Sequence, residues 1–245
     1  MRPILLLLLL PCLPALADSV IPVYSMHYPP LHLGQTQGTQ SGIGDDMISR
    51  AAAQAGVQVS IRTVPWARAQ LMARQQRSAC LFPLTRLPAR EGQYQWIGQI
   101  ASGKLQLYGW GEGSRLPGLA AAAGYRISVL AGSSAEWRLQ QAGLPYSSTN
   151  QVSDGLRLLV LGQVDYWAVH DVVARYEAHR ANLRLVPALT LGEADSWLAC
   201  HRDFPATQAQ ALQQAFARLL ASGEAQQISQ RYTGPHAADA LPAPR

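Results

Sequence analysis

The sequence predicts an α/β protein with two units, each a mostly parallel sheet flanked by helices. Strand and helix patterns alternate through residues 20–82, and a second alternation runs through residues 126–187. Strands that alternate with helices form parallel sheets, because each helix carries the chain back across the sheet. A glycine-containing break at Gly103 precedes the strand that leads towards the second unit.

The elements of the first unit follow from apolar spacing and from residues that cap or end helices. Asp45 or Asp46 can cap a helix, and Gly56 ends it. The apolar face of this helix includes Met47 and Ala51. We predict strands at residues 20–24, 57–64 and 80–82, and helices at residues 47–55 and 65–77.

The second unit and the end of the chain show the same two periodicities. We predict strands at residues 104–110, 126–131, 164–169, 183–187 and 196–201, and helices at residues 135–141, 152–161, 172–179 and 207–222. Residues 34–44 are rich in Gly, Gln, Thr and Ser and predict a turn or hairpin. Residues 236–245 are rich in Ala and Pro, so we expect a disordered tail.

The first 17 residues have the three parts of a secretory signal peptide. Arg2 supplies a positive charge, residues 4–10 form an apolar run, and Ala-Leu-Ala at residues 15–17 is a small-residue cleavage signal. The apolar run is too short to span a bilayer, which needs about 20 residues. We therefore expect cleavage after residue 17 and a periplasmic mature chain that begins at Asp18.

The cysteines indicate the redox compartment. Cys12 would be lipidated in a lipoprotein signal, but Pro11 stands before it instead of the small residue that such a signal needs. Cys80 and Cys200 remain after cleavage, and an even pair in an oxidising compartment predicts a disulfide. A thiolate nucleophile is the alternative, although neither cysteine lies in a recognisable catalytic context.

Charge and histidine spacing argue against nucleic-acid and metal partners. The formal net charge is +5, but arginines are spread along the chain and Lys104 is the only lysine. Such a distribution is typical of a solvated surface, so we expect no nucleic-acid partner. His27 and His32 stand five residues apart without a third candidate ligand nearby, so we expect no metal site and no cofactor.

Several segments occur in an order that resembles family 3 of the bacterial solute-binding proteins, the periplasmic receptors of polar amino-acid ABC transporters. The resemblance covers residues 20–232 and marks the chain as a divergent member. The segments are Tyr28-Pro29-Pro30-Leu31, residues 42–47, residues 84–91, Trp96-Ile97-Gly98, Gly132-Ser133-Ser134-Ala135-Glu136, Gly162-Gln163-Val164-Asp165, residues 198–202 and residues 213–232.

The resemblance implies a two-lobed periplasmic-binding-protein fold of type II. Lobe 1 would comprise residues 18–104 plus 197–235, and lobe 2 would comprise residues 105–196. The chain would cross a hinge twice, near residues 102–105 and near residues 195–198. Cys80 and Cys200 would then both lie in lobe 1, one on the outbound segment and one on the return.

The resemblance also implies a carboxylate site at Arg90. The matching arginine of the family binds the ligand carboxylate with two hydrogen bonds, which the planar guanidinium favours. Thr85 would donate to the same group. The alternative for Arg90 is an exposed arginine at a helix end. Ser133 and Ser134 would add hydroxyl groups at a helix start that favours anions, although a plain N-cap is also possible.

Three further residues complete the expected site. Tyr28 and Trp66 would line the cleft wall, and ordinary core packing is their alternative. His170 stands where amino-acid binders of the family often have an aspartate that holds the ligand ammonium group. A shift of one residue would make Asp171 the equivalent, and a helix-capping His-Asp pair is the structural alternative.

These features predict a monomeric binding protein that is not an enzyme. It would capture a small polar, carboxylate-bearing ligand, an amino acid or a relative of one, for uptake through an inner-membrane ABC permease. A periplasmic sensor or scaffold with a degenerate cleft is one alternative. A dehydratase-like enzyme is another, with Glu136, His170 and Asp171 as its acid–base candidates.

Overall fold

A computed structural model describes residues 20–34 and 41–233. The predicted signal peptide at residues 1–17, its Cys12, the mature start at Asp18 and the tail at residues 236–245 lie outside the described residues. Most of the predicted turn at residues 34–44 lies outside them as well.

The described chain alternates strands and helices, with three short 3₁₀ turns between them. The strands are β1 (Ile21–Ser25), β2 (Val59–Thr63), β3 (Cys80–Thr85), β4 (Tyr94–Ala101), β5 (Lys104–Trp110), β6 (Ile127–Leu130), β7 (Ser147–Thr149), β8 (Tyr166–His170), β9 (Leu185–Glu193) and β10 (Ser196–His201). The helices are α1 (Ile43–Ala55), α2 (Trp66–Gln75), α3 (Ser134–Gln141), α4 (Val152–Val160), α5 (Asp171–Arg180), α6 (Ala206–Ala221) and α7 (Glu224–Thr233). The sequence patterns do not predict β4 or β7.

The strands form two five-stranded sheets, ordered β2-β1-β3-β10-β4 and β7-β6-β8-β5-β9. This confirms the two-lobed α/β class, and we call the halves built on these sheets lobe 1 and lobe 2. Each sheet is mixed rather than mostly parallel. β1 runs parallel to β2 and β3, whereas β10 runs antiparallel to β3 and β4. The second sheet repeats this pattern, with β5 as its antiparallel strand.

The antiparallel strands arise because the chain passes between the sheets twice. It leaves the first sheet after Ala101 and enters the second at Lys104, and it leaves the second after Glu193 and returns at Ser196. The two passages lie side by side, since the Ala194 N–H donates to the Gly103 carbonyl at 2.8 Å. The lobe boundaries expected from the sequence stay a prediction.

Helix α1 begins earlier than the sequence predicts. Its N-cap is Gly42, without a side-chain hydrogen bond, so neither Asp45 nor Asp46 caps it. Asp45 instead turns inward and accepts from His32 Nδ1 at 2.8 Å. Gly56 ends the helix as predicted, in a left-handed conformation with φ of 68°.

Buried apolar side chains fill both lobes. All three phenylalanines of the chain lie in lobe 1 and are at most 2 % exposed: Phe82, Phe204 and Phe216. One continuous cluster extends from lobe 1 to Trp167 and Leu130 of lobe 2. The lobes are therefore packed against each other as well as joined by the two passages.

Cys80 and Cys200 form the predicted disulfide. They are paired residues on the antiparallel strands β3 and β10, with their Cα atoms 3.8 Å apart. The bridge links the outbound and return segments of lobe 1. Among residues 20–34 and 41–233, no helix is long and apolar enough to span a bilayer.

Candidate ligand-binding site

A cavity lies between the two lobes, with about 340 Å³ of empty space that includes open solvent. All seven residues that the sequence singles out for ligand contact line it: Tyr28, Trp66, Thr85, Arg90, Ser133, Ser134 and His170. Four further lining residues were not predicted: Met26, Pro83, Leu130 and Ser196. The residues that the sequence motifs single out therefore form one cluster in space. Their contacts with a ligand stay a prediction.

The ends of parallel strands bring these side chains together. Met26 directly follows β1, and Thr85 is the last residue of β3. Leu130 and His170 are the last residues of β6 and β8. In open α/β sheets the carboxyl ends of parallel strands form the crevice where ligands bind. The topology of both sheets therefore directs these residues to one place.

Arg90 is held at the cavity by backbone carbonyls. It ends a short 3₁₀ turn and is half-buried. Its Nη1 donates to the Thr85 carbonyl at 3.0 Å, and its Nη2 donates to the Gly132 carbonyl at 3.2 Å. Burial lowers the pKa of the Arg90 guanidinium, which indicates that its charge is poorly solvated.

The neighbouring Arg86 differs from Arg90 in its partners. Arg86 makes two hydrogen bonds to the Glu91 carboxylate, at 2.7 and 2.9 Å. Arg90 forms no ion pair with any carboxylate within residues 20–34 and 41–233. A half-buried guanidinium of this kind is suited to a carboxylate that comes from outside the protein.

Helix α3 begins at the cavity with a reciprocal capping arrangement. Ser133 is the N-cap, and its hydroxyl accepts from the Glu136 N–H at 3.1 Å. The Glu136 carboxylate in turn accepts from the Gly132 N–H at 2.6 Å. The N–H groups of Ser134 and Ala135 precede the first hydrogen bond of the helix, so no carbonyl of the helix accepts from them. The expected N-cap is therefore present, together with two N–H groups that have no acceptor within the helix.

The two lobes also touch directly across the cavity. The Gly132 carbonyl accepts from Trp66 Nε1 at 3.1 Å and from Gln70 Nε2 at 3.3 Å, in addition to Arg90. The Ser134 hydroxyl donates to Thr85 Oγ1 at 3.0 Å. Sequence reasoning missed Gln70, because nothing in its local pattern shows which carbonyl it meets. Arg90 and the start of α3 face each other, and the predicted binding of one ligand by both stays a prediction.

The aromatic residues form part of the wall. Trp66 is the first residue of α2 and is 6 % exposed, and Tyr28 is half-buried. Burial raises the pKa of the Tyr28 hydroxyl, and a backbone hydrogen bond at His170 partly opposes this rise. The Tyr28 phenol is therefore neutral at physiological pH.

His170 is a buried cap that also lines the cavity. It is the N-cap of α5, and its Nδ1 accepts from the Val172 N–H at 3.3 Å. Its Nε2 lies 2.6 Å from the Ala194 carbonyl oxygen. Because a carbonyl only accepts, Nε2 carries the proton in this contact. Both ring nitrogens therefore have partners within the protein.

Asp171 also has partners within the protein, next to His170. Its Oδ1 accepts from the Lys104 N–H at 3.1 Å, and its Oδ2 lies 3.1 Å from Arg175 Nη1. Burial raises the pKa of the Asp171 carboxyl, but the neighbouring His170 and Arg175 and the Lys104 N–H hold it below its usual value. The structural alternative of a capping His-Asp pair is therefore present in the molecule.

The His170-Asp171 pair touches both passages between the lobes. His170 meets Ala194 on the return passage, and Asp171 meets Lys104 on the outbound one. A side chain at Gly103 would overlap both His170 and Asp171. Glycine is therefore required at this close approach.

The two histidines considered as metal ligands have other partners. His27 Nδ1 lies 2.9 Å from the Leu33 carbonyl oxygen. His32 lies between Asp45 and Thr63, and its Nε2 is 2.8 Å from Thr63 Oγ1. The described part of the chain contains no group of three or more His, Cys, Asp or Glu side chains that could hold a metal ion.

Comparisons with known proteins identify the class. The fold matches solved substrate-binding proteins and sensor domains, and the sequence matches the family described as bacterial extracellular solute-binding proteins, family 3, over residues 20–235. This chain therefore belongs to that family. A sequence comparison with curated proteins gives no match.

Solved structures with the same fold have low sequence identity to this chain. A histidine kinase sensor domain similar to periplasmic binding proteins has a TM-score of 0.81 at 20 % identity, covering 91 % of this chain and 98 % of that one. The substrate-binding protein of an amino acid ABC transporter has a TM-score of 0.76 at 16 % identity, covering 87 % and 99 %. The GluR0 ligand-binding core from Nostoc punctiforme, in complex with L-glutamate, has a TM-score of 0.77 at 16 % identity, covering 88 % and 100 %.

Proposed function

We propose that this protein is a periplasmic receptor that closes its two lobes around a small carboxylate-bearing solute and delivers it to an inner-membrane ABC permease. It acts as a monomer and carries out no chemistry on the solute. The observation that carries the proposal is Arg90, a half-buried arginine at the cavity whose guanidinium meets two backbone carbonyls and pairs with no carboxylate among residues 20–34 and 41–233.

The donors at the cavity suit one carboxylate bound between the lobes. Arg90 belongs to lobe 1, and the N–H groups at the start of α3 belong to lobe 2. An anion that accepts from both is bound more tightly in the closed state than in the open one. This difference in affinity is what shifts the balance towards closure.

The rest of the cavity suits the apolar part of such a solute. Tyr28, Trp66 and Leu130 contribute carbon-rich walls. The acid–base candidates Glu136 and Asp171 each accept from at least two donors of the protein. A binding role without catalysis requires no change in these contacts.

The test begins with a thermal-shift screen over amino acids, polyamines and organic acids, since a ligand of the native state raises apparent stability. Isothermal calorimetry then compares the native protein with Arg90→Ala. We expect the variant to bind the best carboxylate from the screen more weakly by about 1.5–3 kcal/mol, the range for hydrogen bonds to charged groups. Arg90→Lys should restore only part of this loss, because an ammonium lacks the planar fork.

Arg86→Ala is the matched control. Arg86 precedes Arg90 by four residues and pairs with Glu91 outside the cavity. Its removal should leave the affinity unchanged within about twofold. Equal affinities of the native protein and Arg90→Ala for the carboxylate would remove the proposed site.

A sensor or scaffold with a degenerate cleft is the second candidate. The direct bonds from Arg90 to Gly132 and from Ser134 to Thr85 favour it, because they satisfy these groups without a solute. The histidine kinase sensor domain among the fold neighbours indicates that this fold also occurs in sensors. This candidate predicts that no compound in the screen raises the melting temperature.

A further inference from the structure

The cavity between the lobes has no acidic residue in its described lining. None of the eleven described residues that line it is an aspartate or a glutamate. The smaller adjoining cavity, which shares Tyr28, Leu130, Ser133 and Ser134 with it, also has none among its described lining residues. Residues 35–40, between the two described ranges, contain no acidic residue in sequence.

Asp171 is an acidic candidate close to the cavity, and its carboxylate already has donors within the protein. The Lys104 N–H donates to Oδ1 at 3.1 Å, and Arg175 Nη1 lies 3.1 Å from Oδ2. These contacts hold the carboxylate at the outbound passage and at α5, and Asp171 is not among the described lining residues of the cavity. His170 lines the cavity at this point and offers no negative charge in either protonation state.

Glu136 is another acidic residue near the cavity, and its carboxylate also has hydrogen-bond partners within the protein. Its Oε2 accepts from the Gly132 N–H at 2.6 Å, and its Oε1 accepts from the Ser148 hydroxyl at 2.5 Å. These contacts hold the turn before α3. Both acidic residues therefore serve the protein's own backbone.

Two backbone carbonyls beside the cavity also have donors within the protein. The Thr85 carbonyl accepts from Arg90, and the Gly132 carbonyl accepts from Trp66, Gln70 and Arg90. Arg90 also places a positive charge in the same small space. A ligand ammonium group would lose its water, gain no carboxylate partner and lie near a like charge.

We infer that the natural ligand is a small monocarboxylic acid with an apolar body and no ammonium group beside the carboxylate. This inference rests on the proposed carboxylate-binding function and narrows it. The free acid satisfies Arg90 and the start of α3, and its body contacts Tyr28, Trp66 and Leu130. The amino acid of the same skeleton adds a charge that the cavity does not match.

Matched sets of compounds test the inference on the native protein. Each set shares one side chain: L-phenylalanine, L-3-phenyllactate and 3-phenylpropionate; and L-alanine, L-lactate and propionate. The neutral 3-phenylpropanamide serves as the control without a carboxylate. Calorimetry measures the affinity ratio within each set.

We expect the acids without an ammonium group to bind at least about tenfold more tightly than the amino acid of the same set, because an unpaired buried charge costs more than one hydrogen bond. The amide should not bind measurably. An amino acid that binds as tightly as its hydroxy or deamino counterpart overturns the inference and leaves the proposed function in place. If no carboxylate of any set binds, the proposed function fails and the inference fails with it.

The variant Asp171→Asn tests whether the Asp171 carboxylate binds the ammonium group of any amino acid that the protein binds. Asparagine keeps an oxygen for the Lys104 N–H but removes the negative charge. The affinity ratios should stay within about twofold of the native values if Asp171 serves only the passages between the lobes. A specific loss of amino-acid binding in Asp171→Asn would assign the ammonium group to this carboxylate and overturn the inference.

Discussion

Lobe 1 and lobe 2 have sheets of the same connectivity but are stabilised differently at the same topological position. In each sheet three parallel strands are followed by two antiparallel pairings. The strand that introduces the antiparallel direction is the one that has just arrived from the other lobe, β10 in lobe 1 and β5 in lobe 2. The central strands β3 and β8 are therefore equivalent.

The difference lies at the start of these central strands. Cys80 begins β3 and is covalently bonded to Cys200 on β10. Asp165 directly precedes β8 and instead forms an ion pair with Arg126, which directly precedes β6. The covalent bond joins the central strand of lobe 1 to the returning strand β10, whereas the solvent-exposed ion pair joins the start of the central strand of lobe 2 to the start of the parallel strand β6.

Chain connectivity explains where the covalent bond is most useful. Lobe 1 is assembled from two segments that the whole of lobe 2 separates, so β10 must return over a separation of 120 residues. Lobe 2 is continuous in sequence. Loop-closure entropy rises with the length of the loop, so a cross-link has its largest effect on the long return.

The largest expected effect is therefore the loss of the disulfide. A loop on the order of 100 residues gives roughly 4–5 kcal/mol in chain-entropy models. We expect the reduced protein to lose close to this amount of its free energy of unfolding, as measured by guanidinium titration. Hydrogen exchange should rise more in β10 and β4 than in β5 and β9, because only the first pair depends on the return segment.

The double variant Cys80→Ser/Cys200→Ser provides the control. It should unfold at the same denaturant concentration with and without reductant, which separates the bridge from other effects of the reducing agent. Coincident unfolding curves for oxidised and reduced native protein would contradict the comparison between the lobes.

The next largest effect concerns two glycines that lie against aromatic rings, one on a strand and one on a helix. Gly98 on β4 lies against the Phe216 ring in lobe 1, and Gly155 on α4 lies against the Trp167 ring in lobe 2. A Cβ at either position would overlap the ring. We expect Gly98→Ala to destabilise the protein by about 1–3 kcal/mol, the usual range for overpacking. Gly155→Ala should cost less, since alanine is favoured over glycine within a helix by about 1 kcal/mol.

Chemical denaturation measures both variants against Gly92→Ala. Gly92 is exposed, and a Cβ there would meet nothing within 4 Å. If Gly98→Ala were no less stable than Gly92→Ala, the packing of α6 on β4 would not be as close as the structure has it.

Much of the fold can be predicted from the sequence because most strands and helices carry a local pattern. The edge strand β4 is an exception. Its pairing with β10 shifts register between Ser196 and Trp197 and again between Leu198 and Ala199. Such irregularities disrupt the alternation of buried and exposed residues from which a strand is predicted.

The candidate site was predictable in part for a related reason. Arg90 and Ser134 lie in segments with a recognisable local pattern, and the structure brings both to one cavity. The contact of Gln70 with Gly132 and the contact of His170 with Ala194 join residues far apart in sequence. No local pattern indicates such contacts, because they depend on how the fold brings distant segments of the chain together.

The smallest expected effect concerns the ion pair of lobe 2. The hydrogen bonds from the Arg126 side chain hold the pKa of the Asp165 carboxyl below its ordinary value of 3.8. A carboxyl with a depressed pKa contributes stability above its unfolded pKa, and this contribution is lost as the pH falls through the folded value. Asp165→Asn should therefore lower the unfolding midpoint slightly at pH 6, and the difference should disappear as the pH falls below 3.8.

Glu193→Gln is the control, because that carboxylate lies 4.0 Å from Lys104 Nζ and is largely exposed. A difference between native protein and Asp165→Asn that persists at pH 2.5 would mean that the pair contributes through shape rather than charge. The ion pair would then stabilise lobe 2 independently of its charge, as the disulfide stabilises lobe 1, and the difference between the two lobes would be smaller.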